Sequence, residues 1–299
     1  MRTPPADIAS DAELVARLVE AQHPDLAGPL TQVGNGWDNA VYRLGDEYCV
    51  RLPRRRVAVE LVLNEQRWLP RLARRLNVPV PEPVRVGEPS DGYPWPWTIT
   101  RWHAGRTAAD VPPVGRDDLA PGLAEFMARL HVPAPSDAPR NPVRGVPLAD
   151  RGPAVAERLA SGLLPHSDEL HGLWERLVAA PPWTGPTLWL HGDPHPANLL
   201  LRYDPENGRA GLAAVLDFGD LTGGDPATDL AAAWMVFGPA GRAAFRDRLD
   251  RLAAVDRQTW DRARGWALNI GSAIAVHSHD NPEMAAIGRH ALEQVLLEP

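Results

Sequence analysis

Lysine is missing from this chain: all 31 basic residues are arginine. Any phosphate site must therefore draw its positive charge from arginine. Cysteine is nearly missing too. Cys49 stands alone, so no intrachain disulfide can form, and its place in the run Tyr48-Cys49-Val50 predicts a buried small hydrophobe, not a catalytic thiol. No stretch reaches the roughly 20 consecutive apolar residues that a membrane helix needs. The opening Met1-Arg2-Thr3-Pro4-Pro5, followed by Asp7, Asp11 and Glu13, lacks a signal peptide's apolar region, so the expected setting is cytoplasmic with no membrane partner. Positive charge is not in excess either. A formal charge of −7 disfavours nonspecific binding to nucleic acid, which needs basic surface to displace counterions, and suits a cationic or neutral substrate better.

What is present is the composition of a packed protein. Hydrophobic residues make up 44% and charged residues 23% of 299, which argues against disorder and, at this length, for two lobes sharing a cleft. Leu14, Val15, Leu18 and Val19 fall on one face of a helix over 11–22. Short β-branched and aromatic runs follow between Leu30 and Leu52, separated by Gly34-Asn35-Gly36 and Gly45-Asp46-Glu47, which predicts an antiparallel meander. A helix over 57–76 is expected to pack on it and to stop before Val78-Pro79-Val80-Pro81. Thr98-Ile99-Thr100-Arg101-Trp102 predicts a last strand, with the lobe boundary near residue 103.

The rest is expected to be mostly helical, over 117–131, 153–164, 166–179, 226–236, 239–253, 256–278 and 282–297. Short strands at 188–190, 199–202 and 213–216 are expected to pair with one another, and the proline-rich 132–147 to be a loop. The fold class is therefore α+β: residues 1–103 with a small antiparallel sheet and helix, residues 104–299 larger and mainly helical. No internal repeat is visible.

Polar residues concentrate in Leu190-His191-Gly192-Asp193-Pro194-His195-Pro196-Ala197-Asn198-Leu199 and Leu216-Asp217-Phe218-Gly219-Asp220, each flanked by apolar strands that can hold carboxylates at a cleft. Phosphoryl transfer needs an acceptor for a hydroxyl proton, a positioned γ-phosphate and cations on the phosphate oxygens. An Asp five residues before an Asn can face the hydroxyl while the Asn turns to a metal; a second Asp on a neighbouring strand end completes an oxygen site for Mg²⁺. His191 and His195 find no third ligand nearby, so zinc is a poor reading and His195 is taken as a loop residue.

The sequence resembles the aminoglycoside phosphotransferase family, relatives of protein kinases that include aminoglycoside, macrolide and viomycin-type antibiotic kinases. His191-Gly192-Asp193 with Asn198, and Asp217-Phe218-Gly219, carry the resemblance. It implies a protein-kinase-like two-lobe fold, Asp193 as catalytic base, Asn198 and Asp217 as magnesium ligands, and His191 as a structural member of the loop. Asp229, opening an apolar helix, is expected to accept backbone N–H bonds from that loop.

In such a fold Gly34, Asn35, Gly36 and Asn39 would line the nucleotide phosphates, with Thr100 and Trp102 beside them. The phosphate-binding position on the third strand falls to Arg51, since no lysine exists, and its helix partner to Glu65, with Glu60 as runner-up. The arginine resembles the macrolide branch, known for using GTP, so the co-substrate is ATP or GTP. The run Arg54-Arg55-Arg56 is either a solvated turn or a phosphate-steering patch. Candidate acceptor contacts are Asp225, otherwise a helix cap, and His277, Asp280 and Glu283, with His279 and Asn281 nearby and Trp234 and Trp266 as walls. The expected activity is transfer of a γ-phosphoryl group to a hydroxyl of an antibiotic. The rivals are a metabolic kinase for choline, a sugar or an amino alcohol, and a pseudokinase that only holds nucleotide.

Overall fold

A computed structural model describes residues 5–206, 208–278 and 280–297. Its first sheet is antiparallel and contains β1 (Leu30–Asn35), β2 (Asn39–Leu44), β3 (Tyr48–Pro53), β4 (Pro83–Gly87) and β5 (Trp97–Arg101), in the order β1-β2-β3-β5-β4. Strand periodicity gives this sheet two different faces. Ala40, Tyr42, Val50, Leu52, Trp97 and Ile99 are buried on one, where Leu14, Val15, Leu18 and Val19 of α1 (Ala12–Gln22) join them in a core. Asn39, Val41, Cys49, Arg51 and Thr100, the alternate residues, face a cleft. The meander is as expected. β4 was not foreseen, because five residues with a proline and an arginine at a sheet edge carry little alternation.

α2 (Val59–Leu72) runs across the cleft face. Its buried stripe is Val62, Glu65, Trp68, Leu69 and Leu72, at the spacing of one helix side, with a carboxylate set among the hydrophobes. Trp68, Leu69 and Leu72 belong to the larger core that the C-terminal part forms, so α2 ties the N-terminal part to that core.

That part contains β6 (Arg106–Thr107), α3 (Ala120–Leu130), α4 (Gly152–Ala160), α5 (Ser167–Val178), β7 (Leu188–Leu190), β8 (Leu199–Tyr203), β9 (Ala210–Val215), β10 (Thr222–Gly224), the single turns α6 (Ala227–Leu230) and α7 (Ala232–Met235), then α8 (Pro239–Ala253), α9 (Arg257–His277) and α10 (Pro282–Leu297). The expected pairing of 188–190 with the other short strands is corrected: β7 pairs with β10, while β8 pairs with β6 and β9. The two small ladders thus bracket the segments 191–198 and 216–221. Trp234 and Trp266 are 1% and 0% exposed, core anchors and not pocket walls. No helix among the described residues is long and apolar enough to cross a membrane.

Candidate active site

Gly192 turns the chain immediately after β7. Its φ is 91°, and a Cβ there would stand 2.3 Å from the Asp220 carbonyl oxygen, so the position admits only glycine. The turn is held from below by Asp229, fully buried, whose two carboxylate oxygens accept the backbone N–H groups of His191 and Gly192 at 2.8 Å each. His131 Nε2 lies 3.0 Å from the same carboxylate. The His191 ring is a strut: Nδ1 accepts from the Asp193 N–H at 3.2 Å, Nε2 donates to the Leu216 carbonyl at 2.9 Å, and the ring lies against Phe218 with centroids 4.6 Å apart. The two polar segments are therefore braced on each other.

Asp193 sits on this turn. Arg144 Nη2 is 3.3 Å from Oδ1, and His195 Nε2 is 3.3 Å from Oδ2. Burial pushes the carboxyl pKa up, but His195 and Arg144 together outweigh it and hold Asp193 well below the usual carboxylate range. Burial likewise opposes charge on His195, and Asp193 overrides it to raise the imidazole.

Asn198 donates its Nδ2 to the Asp193 carbonyl at 2.9 Å, and its own carbonyl accepts from the Leu216 N–H at 2.8 Å, one residue before Asp217. Asp217 has φ of 57°, a left-handed conformation uncommon outside glycine and costing on the order of 1–3 kcal/mol. Its Oδ1 accepts from the Gly219 N–H at 3.2 Å. The strain presents the carboxylate to the cleft that Asn198 also lines. No group of three or more His, Cys, Asp or Glu forms a metal cluster among the described residues. An amide oxygen and a carboxylate facing one cavity are nevertheless a fitting donor set for a hard cation whose other ligands are phosphate oxygens and water.

The cleft holds about 720 Å³, within the range of small-molecule sites. Gly34, Gly36, Asn39, Arg51, Thr100 and Trp102 line it opposite Asn198 and Asp217. Arg51, 8% exposed, donates through Nη1 and Nη2 to both oxygens of Glu65 at 2.7 and 3.1 Å. Burial disfavours the Arg51 charge, but Glu65 and Asp217 more than restore it. Glu60 is exposed and stands apart from this pair. The Asn39 Oδ1 is buried with no hydrogen-bond partner. Asn35 enters through its backbone pairing with Ala40; its side chain lies outside the described residues. The arginine run clamps the glycine turn: Arg54 Nη1 donates to the Gly36 carbonyl at 2.8 Å, and Arg55 Nη2 to Asp38 at 2.6 Å.

The acceptor candidates are not brought there. Asp225 is 4% exposed and locked to Arg262 Nε at 2.7 Å, and it caps the following turn through the Ala227 N–H, so its carboxylate is spent inside the core. His277, Asp280 and Glu283 are exposed around the α9–α10 turn and none lines the cleft; His279 lies outside the described residues. Sequence reasoning missed Arg144, which arrives on the proline-rich loop without any periodic signal. It left Asp220 unassigned although the residue stands in the second motif; burial raises its pKa, Arg144 Nε lies 3.7 Å away, and Asn141 donates to it at 2.6 Å.

A model of the phosphotransferase enzyme family, APH, matches residues 29–266. The chain belongs to this family. Solved structures of phosphotransferases share its fold: a GDP complex of aminoglycoside 2'-phosphotransferase-IIIa superposes with a TM-score of 0.70 at 20% identity, over 96% of this chain and 99% of that one. A streptomycin–ATP ternary complex of APH(2")-IIa gives 0.60 at 19% identity, over 94% and 95%. A macrolide 2'-phosphotransferase from Brachybacterium faecium gives 0.61 at 21% identity, over 95% and 98%. No curated protein matches the sequence. These phosphotransferase neighbours are α+β like this chain, with the same kinase-like pairing of a small sheet and a helical part.

Proposed function

We propose that this phosphotransferase moves the γ-phosphoryl group of ATP or GTP onto a hydroxyl of a small organic acceptor, with residues 1–103 holding nucleotide and residues 104–299 supplying the catalytic and acceptor groups. The observation that carries the reading is the cleft of about 720 Å³ with Asn198 and Asp217 on one wall and the Arg51–Glu65 pair on the other, beside the turn that bears Asp193.

Asn198 and Asp217 would hold Mg²⁺, which when bound supplies positive charge against the phosphate oxygens. Asp193, kept ionised at neutral pH, accepts the proton of the attacking hydroxyl while the new O–P bond forms and the bond between the γ-phosphorus and the bridging oxygen breaks, leaving the nucleoside diphosphate. Glu65 fixes the Arg51 guanidinium, and the donors Glu65 leaves unused can meet phosphate oxygens. Arg54 and Arg55 hold the glycine turn over the nucleotide, and Thr100 and Trp102 face its base-side wall.

The neighbours act on or bind antibiotics, which supports an aminoglycoside, macrolide or related antibiotic as acceptor, with resistance as the outcome. A metabolic kinase on the same fold is the second reading, favoured by Arg144, whose guanidinium reaches Asp193 at 3.3 Å. The deciding experiment incubates the protein, Mg²⁺ and ATP or GTP with antibiotics and metabolic alcohols and records nucleoside diphosphate together with an acceptor that gains one phosphoryl group. Turnover that persists unchanged in Asp193→Ala would contradict the assignment.

A further inference from the structure

His195 sits between two prolines, Pro194 and Pro196. A residue that precedes proline is driven into extended backbone, and His195 has φ of −94° and ψ of 166°. Its N–H donates to the Asp193 carbonyl at 2.9 Å, and its own carbonyl accepts from the Asn198 N–H at 2.9 Å. With the backbone held on both sides, the ring folds back onto the side chain two residues earlier: Nε2 lies 3.3 Å from Asp193 Oδ2. His195 is 7% exposed and does not line the nucleotide cleft, whereas the Asp193 side chain keeps 23% of its surface open.

The two ring nitrogens stand in unlike surroundings. Nε2 faces a carboxylate, while Nδ1 is enclosed with no hydrogen-bond partner. In the neutral ring a hydrogen on Nδ1 would be an orphaned buried donor, whereas a hydrogen on Nε2 meets Oδ2. Nε2 therefore carries hydrogen in the neutral ring as in the charged one, and is a donor toward Asp193 in both. The same enclosure bars a proton relay. Nε2 already holds a hydrogen and cannot take another from Asp193, and Nδ1 has no acceptor to which it could release one. Arg144 Nη2 stands 3.3 Å from the other oxygen, but it reaches there from the proline-rich loop on a side chain 19% exposed. A carboxylate with one donor at each oxygen is fixed about its Cβ–Cγ bond, and each oxygen keeps a further lone pair for an incoming hydroxyl.

Resting on the phosphotransferase reading above, we propose that His195 is a positioning residue for the transfer: its Nε2–H holds Asp193 Oδ2 so that the carboxylate presents a free lone pair to the acceptor hydroxyl. His195 itself takes no proton and touches no nucleotide. The hydroxyl proton ends on Asp193 and leaves from there to solvent, toward which that side chain is open.

The test uses the full chain with Mg²⁺ and ATP or GTP, water serving as the hydroxyl, and compares wild type, His195→Leu, His195→Gln and Asp193→Ala by kcat, nucleotide KM and urea midpoint. Leucine fills the space of the ring without a donor. Glutamine brings an amide N–H near the position of Nε2 but cannot titrate. His195→Leu should lose about tenfold to a hundredfold in kcat, the scale of a misplaced catalytic group, with nucleotide KM within about threefold and the urea midpoint kept. His195→Gln should recover most of that loss. Glutamine as slow as leucine overturns the proposal, because the charge or proton of the ring, not its donor, would then matter. Leucine as fast as wild type overturns it too, as does a loss of kcat matched by losses in nucleotide affinity and urea midpoint. Should His195→Leu not fold, His195→Asn, whose shorter amide stops short of Oδ2, is compared with glutamine under the same criteria. Nucleotide turnover that is absent, or unchanged in Asp193→Ala, is a different failure: the kinase reading itself falls, and the role of His195 with it.

Discussion

Arg51→Ala leaves the Glu65 carboxylate 3% exposed with both of its guanidinium bonds gone. Two outcomes compete for the lower cost. Keeping a lone charge buried costs about 3–5 kcal/mol. Protonating the carboxyl instead, from its ordinary value of 4.5, means crossing about 2.5 pH units at pH 7, or about 3.4 kcal/mol. The loss of stability at pH 7 is therefore about 3 kcal/mol and is limited by the proton. The sign follows from proton counting: in the variant the folded state holds a proton that the unfolded chain has released, so stability falls as pH rises above 4.5 and recovers on acidification. At pH 5.5 the loss should shrink to about 1.4 kcal/mol. Urea unfolding followed by the fluorescence of the 11 tryptophans, for both proteins at the two pH values, reads this directly. Replacing Glu65 by Leu in the same variant should return most of the loss, because the buried charge goes with it. A loss below about 1 kcal/mol at pH 7, or an equal loss at both pH values, would show that the pair is not the closed, desolvated contact described here.

Other perturbations isolate other parts of the molecule. Asp229→Ala orphans the backbone N–H groups of His191 and Gly192, at about 1–3 kcal/mol each, and should lower both urea stability and kcat; full retention of both would remove Asp229 as the support of the turn. His290, packed under the Phe237 carbonyl, has its pKa lowered by burial to about 4, whereas the unfolded chain takes up that proton near 6.5. Stability should accordingly fall as pH drops from 6.5 toward 4, and His290→Gln should flatten that part of the stability–pH curve; an unchanged slope contradicts the assignment. Asp217→Ala should weaken nucleotide binding at least tenfold with Mg²⁺ present and little without it, as calorimetric titration in the two conditions will record; equal weakening in both argues against a metal ligand.

The fold was legible where side-chain period is strong. α1, the β1–β3 meander, α8 and α10 follow directly from the positions of their apolar residues, whereas Arg51 and Glu65 were picked out by the family resemblance, which puts a basic residue on the third strand and a glutamate on the helix after it, together with the absence of lysine. β4, β6 and β10 were not legible: each is five residues or fewer and is held by pairing with distant strands, not by its own pattern. The surroundings of Asp193 were less legible for a related reason. Arg144 comes to Asp193 on a loop whose course is set by long-range contacts such as Gly145 against Gly224, which no local spacing announces. Asp225 read equally well as cap or contact, and only the partner 37 residues away, Arg262, decides that its charge is consumed in the core.

The central claim is that Asp193 serves the chemistry and not the binding of nucleotide, and one preparation of Asp193→Ala examined twice tests it most directly. Magnesium–nucleotide affinity should stay within a factor of two or three of wild type, while acceptor-dependent nucleotide turnover falls by a thousandfold or more. Turnover near the wild-type rate, or nucleotide affinity lost together with turnover, would contradict it.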